Sequence, residues 1–488
     1  MRAARSRQQA GDIATGWLFT ATYQPHEDAT AMSRKPYSRR EFVTQGSLAC
    51  LGAAAAISSA PHAAARSAGR AATPAILGGT PVHTKGWSRW PIWIPETDEE
   101  QVLKAIRSGV WSRHSLVAEF EKKWAELLGA KRCVTTVNGT NALITAMKQL
   151  DIGGGDEVIV TPYTWIATTQ AILQTGAMPV FADVDPQTYQ IDPDRIEEKI
   201  TPRTKAILPV HILGLPADME RIMAIAKRHK LLVVEDACQA WLAEINHKKV
   251  GTFGNAGCFS FQNSKHLAVG EGGAIVSDDE AFMDRCYSYH NMGLAHGSVT
   301  QPGYQFVMLG SKVRWSEYQA AVGLAQFHRL EAQTTTRNVN ADYLRARLAQ
   351  LPGIVPHQLY PTATRAAYHL FPFRYLKQEF QGLSRVGFIR ALRAEGVPCT
   401  EGYASTLNRS PYLKDAFQSK NFRLMYPQEM LDFDRYVEQN RCPRNEQLCE
   451  ETVWLSQNLL LGTRSDMDDI VQSIEKIHAH AAAIKAAM

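Results

Sequence analysis

From about residue 96 onward the chain alternates two patterns. Longer stretches repeat apolar residues three or four positions apart, and shorter runs are apolar almost throughout. The first pattern predicts helices with one buried face, and the second predicts strands buried on both faces, as in a mostly parallel sheet covered by helices. Seven such runs stand out: Cys133–Val137, Glu157–Val160, Met178–Phe181, Ala206–Val210, Leu231–Val234, Gly257–Phe261 and Ala274–Val276. Most end in a polar residue, a Gly or a Pro, and sheets of this kind bind ligands beyond the carboxyl ends of their strands. Glu317 to about Gln350 reads as one or two long helices, with Ala320 to Ala325 at helical spacing, linking two domains. Beyond it, Tyr368–Tyr375 reads as a strand, Arg385–Glu395 as a helix and Asp466–Ile484 as a closing helix. The expected architecture is α/β, with a large domain over residues 73–335 built on a mostly parallel central sheet. A smaller C-terminal α+β domain follows over 336–488, and residues 1–72 form a leader and linker.

That leader has a chemistry of its own. Arg39-Arg40 precedes an uncharged, Ala- and Gly-rich run from Gly46 to Ala60, and Ala63-Ala64-Ala65 offers small residues for cleavage. This is the layout of a twin-arginine export signal, and the run is too short to span a bilayer. The expected location is periplasmic or exported, or cytoplasmic if the leader does not function. Met32 is an alternative start.

Composition narrows the class. The 488 residues allow a large core, and 45% hydrophobic with 21% charged residues is ordinary for a globular chain. The net charge of +5 forms no dense basic stripe interleaved with aromatics, so nucleic acid is not an expected partner. Neither is stable membrane insertion. The eight cysteines make no CxxC pair and no paired His/Cys spacing, so no metal site is expected. Cys238 and Cys258 are read as small buried hydrophobes.

Three strand ends carry candidate chemistry. In Asn138-Gly139-Thr140-Asn141-Ala142 a strand gives way through Gly and Thr to a helix, whose free N–H groups and hydroxyl suit either an anion such as phosphate or a plain helix cap. In Val234-Glu235-Asp236-Ala237-Cys238-Gln239 carboxylates follow a buried strand, where an acid holds a pyridine nitrogen protonated or caps a helix. In Ser260-Phe261-Gln262-Asn263-Ser264-Lys265-His266, followed by Gly270-Glu271-Gly272-Gly273, a lysine lies in a loop beside glycines that permit close backbone approach. Such a lysine is suited to form a Schiff base. Trp165, after a fourth strand end, is placed to cover a planar ring or to pack in the core.

Together with Tyr163-Thr164-Trp165, Pro209-Val210-His211, Arg314 and Gln319-Ala320-Ala321, these segments resemble the DegT/DnrJ/EryC1/StrS aminotransferases from about residue 75 to the C-terminus. The resemblance implies the fold of type I pyridoxal 5′-phosphate (PLP) enzymes and a homodimer with sites at the subunit interface. It implies Lys265 as the lysine that binds PLP and moves the proton, and Asp236 as the partner of the pyridine nitrogen. Trp165 would stack on the ring, and Gln239 would lie near its 3-hydroxyl. Gly139, Thr140, Asn141 and Ser260 would hold the phosphate. Relatives with histidine in place of the lysine are sugar dehydratases, and Lys265 argues against that branch. Two segments depart from the pattern. Lys312 stands where many relatives have an Asn that reaches across the dimer to the phosphate, and Trp241-Leu242 replaces a His-Gly pair, altering the expected wall of the substrate side. Phe259-Ser260-Phe261-Gln262 and Val453-Trp454-Leu455-Ser456-Gln457 lean toward the glutamine:scyllo-inosose, or aminocyclitol, branch. The expected reaction moves an amino group from glutamine or glutamate to a keto-sugar or keto-cyclitol; the alternative is a catalytically idle PLP- or sugar-binding sensor or scaffold.

Overall fold

The computed structural model describes residues 73–488, so the expected leader lies outside the described residues. All seven apolar runs form strands of one sheet. Its order is Arg132–Thr136, Gly273–Ser277, Ala256–Ser260, Leu232–Asp236, Thr204–Leu208, Glu157–Val160, Met178–Phe181. Only Gly273–Ser277 runs antiparallel to its neighbours.

Strand alternation sends successive side chains to opposite faces, and here both faces are buried. Val134, Val158, Val160, Leu208, Val234 and Ile275 enter one core, whereas Cys133, Ile159, Ile207, Val233, Phe259 and Val276 enter the other. The second core centres on Trp124, which meets Phe259 at 5.4 Å, Phe261 at 5.1 Å and Trp241 at 6.5 Å between ring centroids. These aromatics underlie the loop that carries Lys265, because Trp241 also meets the His266 ring at 5.0 Å.

A single 32-residue helix, Glu317–Leu348, follows the sheet; Ser316 and Gln319 close its N-terminus as a capping box. At 1.5 Å per residue it is about 48 Å long. The expected boundary near residue 335 falls inside this helix, and the described residues belong to one compact unit. A second, antiparallel sheet follows, in the order Ile354–Pro356, Leu370–Tyr375, Thr452–Ser456, Thr400–Glu401. Its register sets Leu370 opposite Ser456 and Thr400 opposite Trp454. The closing helix is Arg464–Ala479; it breaks at His480 before a short helix, Ala481–Ala486, where a single helix to Ile484 was expected. No helix among the described residues is long and apolar enough to cross a membrane.

Candidate active site

The carboxyl ends of the parallel strands open on a cleft of about 860 Å³. The large sheet supplies Gly139, Thr140, Trp165, Asp236, Gln239, Ser260 and Lys265, and the small sheet closes the other side with Leu370, Thr400, Trp454 and Ser456.

Alternation along Leu232–Asp236 separates two adjacent carboxylates. Glu235 is fully buried and accepts N–H bonds from Gly251, Phe253 and Gly254 at 2.7 Å each. It also meets His211 Nε2 at 3.0 Å, while His211 Nδ1 accepts from the Ala217 N–H, so Nε2 carries the proton that Glu235 receives. Glu235 therefore fastens a turn and a histidine behind the sheet. Asp236 lines the cleft, its Oδ2 accepting from Thr168 Oγ1 at 2.8 Å and its Oδ1 from the Cys238 N–H at 3.2 Å. Both carboxylate oxygens are thus oriented from behind.

The Lys265 side chain ends 3.5 Å from His369 Nε2. Burial holds its ammonium below the ordinary lysine range, partly offset by Cys238 and Asp236. His369 is held well below the ordinary histidine range by burial, with Lys265, His266 and Arg337 adding positive charge nearby. A neutral amine is the nucleophilic form of lysine.

Gly139 begins the Gly139–Gln149 helix where no side chain fits. A Cβ there would meet Cys238 Sγ and Ser260 Cβ, each at 2.8 Å. Thr140 follows at the open helix end, and Trp165 lines the cleft with 60% of its surface free to cover a flat ligand. A close-approach glycine and a hydroxyl at a helix N-terminus, a fixed carboxylate, a free aromatic face and a half-buried amine converge on one cleft. This set fits a phosphorylated pyridine aldehyde.

Other residues fall elsewhere than expected. The Asn141 amide turns back on Asn138, donating to Oδ1 at 3.0 Å beside the Asn141 backbone N–H at 2.9 Å, and it does not line the cleft. Lys312 is exposed, pairs through its backbone with Asn291 and also lies off the cleft wall. Trp241 belongs to the aromatic core at 1% exposure and does not line the cleft, where its replacement of His was expected to alter the substrate-side wall. Cys238 corrects another expectation, since it lines the cleft instead of lying in a strand core. Glycines after Lys265 approach the protein's own backbone: a Cβ on Gly273 would lie 2.3 Å from the Asn138 carbonyl oxygen. Residues missed from sequence include Trp90, Thr168, His369, Tyr403 and Asn458. His369 alone carried a signal, a polar residue between Tyr368 and Leu370 in an apolar run.

The sheet, the oriented aspartate and the half-buried lysine define a fold type I PLP-dependent aminotransferase. The chain belongs to the DegT/DnrJ/EryC1/StrS aminotransferase family, whose model matches residues 93–432. It is 34% identical over 431 residues to L-glutamine:2-deoxy-scyllo-inosose aminotransferase of Streptomyces kanamyceticus, covering 84% of this chain and 98% of that protein. It is also 36% identical over 333 residues to the spore coat polysaccharide biosynthesis protein SpsC of Bacillus subtilis, covering 67% and 85% of the two chains. Among solved structures, the aminotransferase from Psychrobacter cryohalolentis matches with TM-score 0.70 at 31% identity, over 81% of this chain and all of that one. 3-Amino-5-hydroxybenzoic acid synthase matches with TM-score 0.69 at 28% identity, over 82% and 99%.

Proposed function

We propose that this enzyme transfers the amino group of glutamine to a keto-cyclitol, with PLP as cofactor and a homodimer as the working unit. The observation that carries the reading is the half-buried Lys265 amine in the same cleft as the doubly bonded Asp236. Similarity to glutamine:scyllo-inosose aminotransferases over 84% of the chain supports the donor and the acceptor class.

Lys265 would hold PLP, Asp236 would keep the proton on its pyridine nitrogen, Trp165 would cover its ring, and Thr140 and Ser260 would bind its phosphate. When bound, PLP supplies an electron sink and carries the amino group between substrates. Lys265 then moves the proton at the amino-bearing carbon of each substrate, a task suited to an amine held below its usual range. Gln239 is fixed by the Leu213 N–H, which donates to its Oε1 at 2.8 Å, leaving its amide to orient a neighbouring hydroxyl. Trp454 and Ser456, on one face of the small sheet, border the acceptor.

Exposed Met292, Tyr304, Phe306 and Leu309, the last 87% exposed, support burial of this segment against a second subunit. Lys312, in the same segment, would reach the phosphate of the partner's site. Export through the leader would place the enzyme outside the cytoplasm, away from nucleotide-linked sugars, which also favours a free cyclitol.

The deciding experiment incubates the PLP-loaded enzyme with glutamine or glutamate and a panel of keto-inositols and nucleotide-linked keto-sugars. Mass spectrometry is expected to find an aminocyclitol formed with glutamine. Amination of nucleotide-linked sugars alone would move the acceptor class, and no amination of any ketone would sink the reading.

A further inference from the structure

Arg337 lies in the middle of the long helix and is fully buried, which is rare for a guanidinium. Its Nη2 donates to Gln457 Oε1, while Nε and Nη1 have no hydrogen-bond partner. Burial pushes it down to about 9, and the hydrogen-bond partner it has among the described residues is the neutral amide of Gln457. Burying a cation without a charged partner is strongly unfavourable, because its lost hydration is not replaced. A fold that retains one needs a reason.

Its neighbours supply that reason. The Arg337 guanidinium carbon sits 5.2 Å from the centre of the Trp90 ring, as a cation over an aromatic face. Trp90 Nε1 donates to the Lys265 carbonyl at 3.0 Å, and Gln457 Nε2 donates to the Ser264 carbonyl at 3.0 Å. The two groups that touch Arg337 are therefore the two that clamp consecutive carbonyls at the lysine. They come from opposite ends of the described chain, and the long helix holds them together through one side chain.

Charge gives Arg337 a second effect. Asp236 and Cys238 act on the Lys265 amine directly, His369 Nε2 lies 3.5 Å from it, Glu271 lines the same cleft, and Arg337 acts on His266 and His369. Burial disfavours protonation of both histidines, and Arg337 adds to that effect. A neutral His369 can accept from the Lys265 amine at Nε2, whereas a protonated one would repel it.

We propose that Arg337 is a positioning residue for Lys265: it braces Trp90 and Gln457, which clamp the carbonyls of Lys265 and Ser264. The inference rests on Lys265 being the PLP lysine.

The test uses the PLP-loaded enzyme and Arg337→Met, which keeps volume and loses charge. The visible absorbance of the cofactor is titrated with pH beside kcat, KM and thermal unfolding. The midpoint is expected to rise by up to about one unit, because one positive charge has gone while burial still keeps both histidines neutral. Turnover should fall about tenfold, as displaced reacting groups predict, with glutamine KM little changed and thermal stability undiminished. Arg337→Lys, which keeps the charge without the planar fork, should restore the midpoint but only part of kcat. Wild-type midpoint and kcat in Arg337→Met would overturn the proposal, and so would a loss of thermal stability with the midpoint unmoved. Should Arg337→Met fail to fold, Gln457→Leu decides: its kcat should fall about tenfold at an unmoved midpoint, and normal turnover overturns the bracing. Lys265→Ala separates the two levels. Turnover in that variant would remove the functional reading itself, whereas an inert Lys265→Ala beside an unaffected Arg337→Met removes only the role of Arg337.

Discussion

The acid of this site is set by one neighbouring hydroxyl. Thr168 Oγ1 donates to Asp236 Oδ2 and meets Thr164 Oγ1 at 2.8 Å, so a short chain of hydroxyls fixes the carboxylate from the helix side. Thr168→Val should lower kcat about tenfold, the equivalent of one hydrogen bond to a charged group, with PLP still bound. Asp236→Ala should cost about two orders of magnitude at saturating PLP, because its proposed task is to keep the pyridine nitrogen protonated. Steady-state rates with glutamine check both, and near-normal turnover in Asp236→Ala would remove its assignment. Glu235 provides the contrast: its Ala variant should reduce stability, since four hydrogen bonds around a buried carboxylate are lost at once.

At the scale of elements, helix ends decide how the cleft is built. Glu317, at the start of the long helix, is 3% exposed and accepts from the His114, Leu116 and Val117 N–H groups at 2.6, 2.9 and 3.0 Å. It caps the Ser115–Leu128 helix from another element and favours the positive end of that helix's dipole. Glu317→Ala should destabilise the protein by about 3 kcal/mol in urea unfolding, with Glu317→Gln less affected. Gly139→Ala tests the phosphate end of the cleft. Its methyl would collide with Cys238 and Ser260, an overpacking of about 1–3 kcal/mol that should appear as weaker PLP retention on dialysis. Unchanged retention would show that the helix start does not approach the phosphate.

Across the whole molecule, the expectation is a dimer whose sites draw on both chains. Mixing Lys265→Ala subunits with Lys312→Ala subunits should restore some activity, because one site of the mixed dimer combines intact Lys265 with intact Lys312. Mixed dimers that form and regain nothing would end the cross-subunit role of Lys312. Replacing Arg39 and Arg40 by Lys should leave the protein in the cytoplasm, and equal periplasmic recovery of both forms would dismiss the leader.

The seven strands, and the strand ends bearing Gly139, Asp236, Ser260 and Lys265, were legible because strand burial and turn residues are local signals, read within a few positions. The family pattern added a role for each. Local pattern could not say that Glu235 and Asp236 face opposite ways, that the Asn141 amide is drawn onto the Asn138 cap of its helix while Thr140 remains open, or that Trp241 is core. Those outcomes depend on register and packing. Nor could it find His369, Arg337, Trp90 and Gln457 around one lysine, since they lie up to 367 positions apart and meet only when the long helix and the second sheet close over the first. The chemistry on offer is written in short segments. Which groups are neutral, braced or free to react depends on the burial and neighbouring charge that tertiary folding brings.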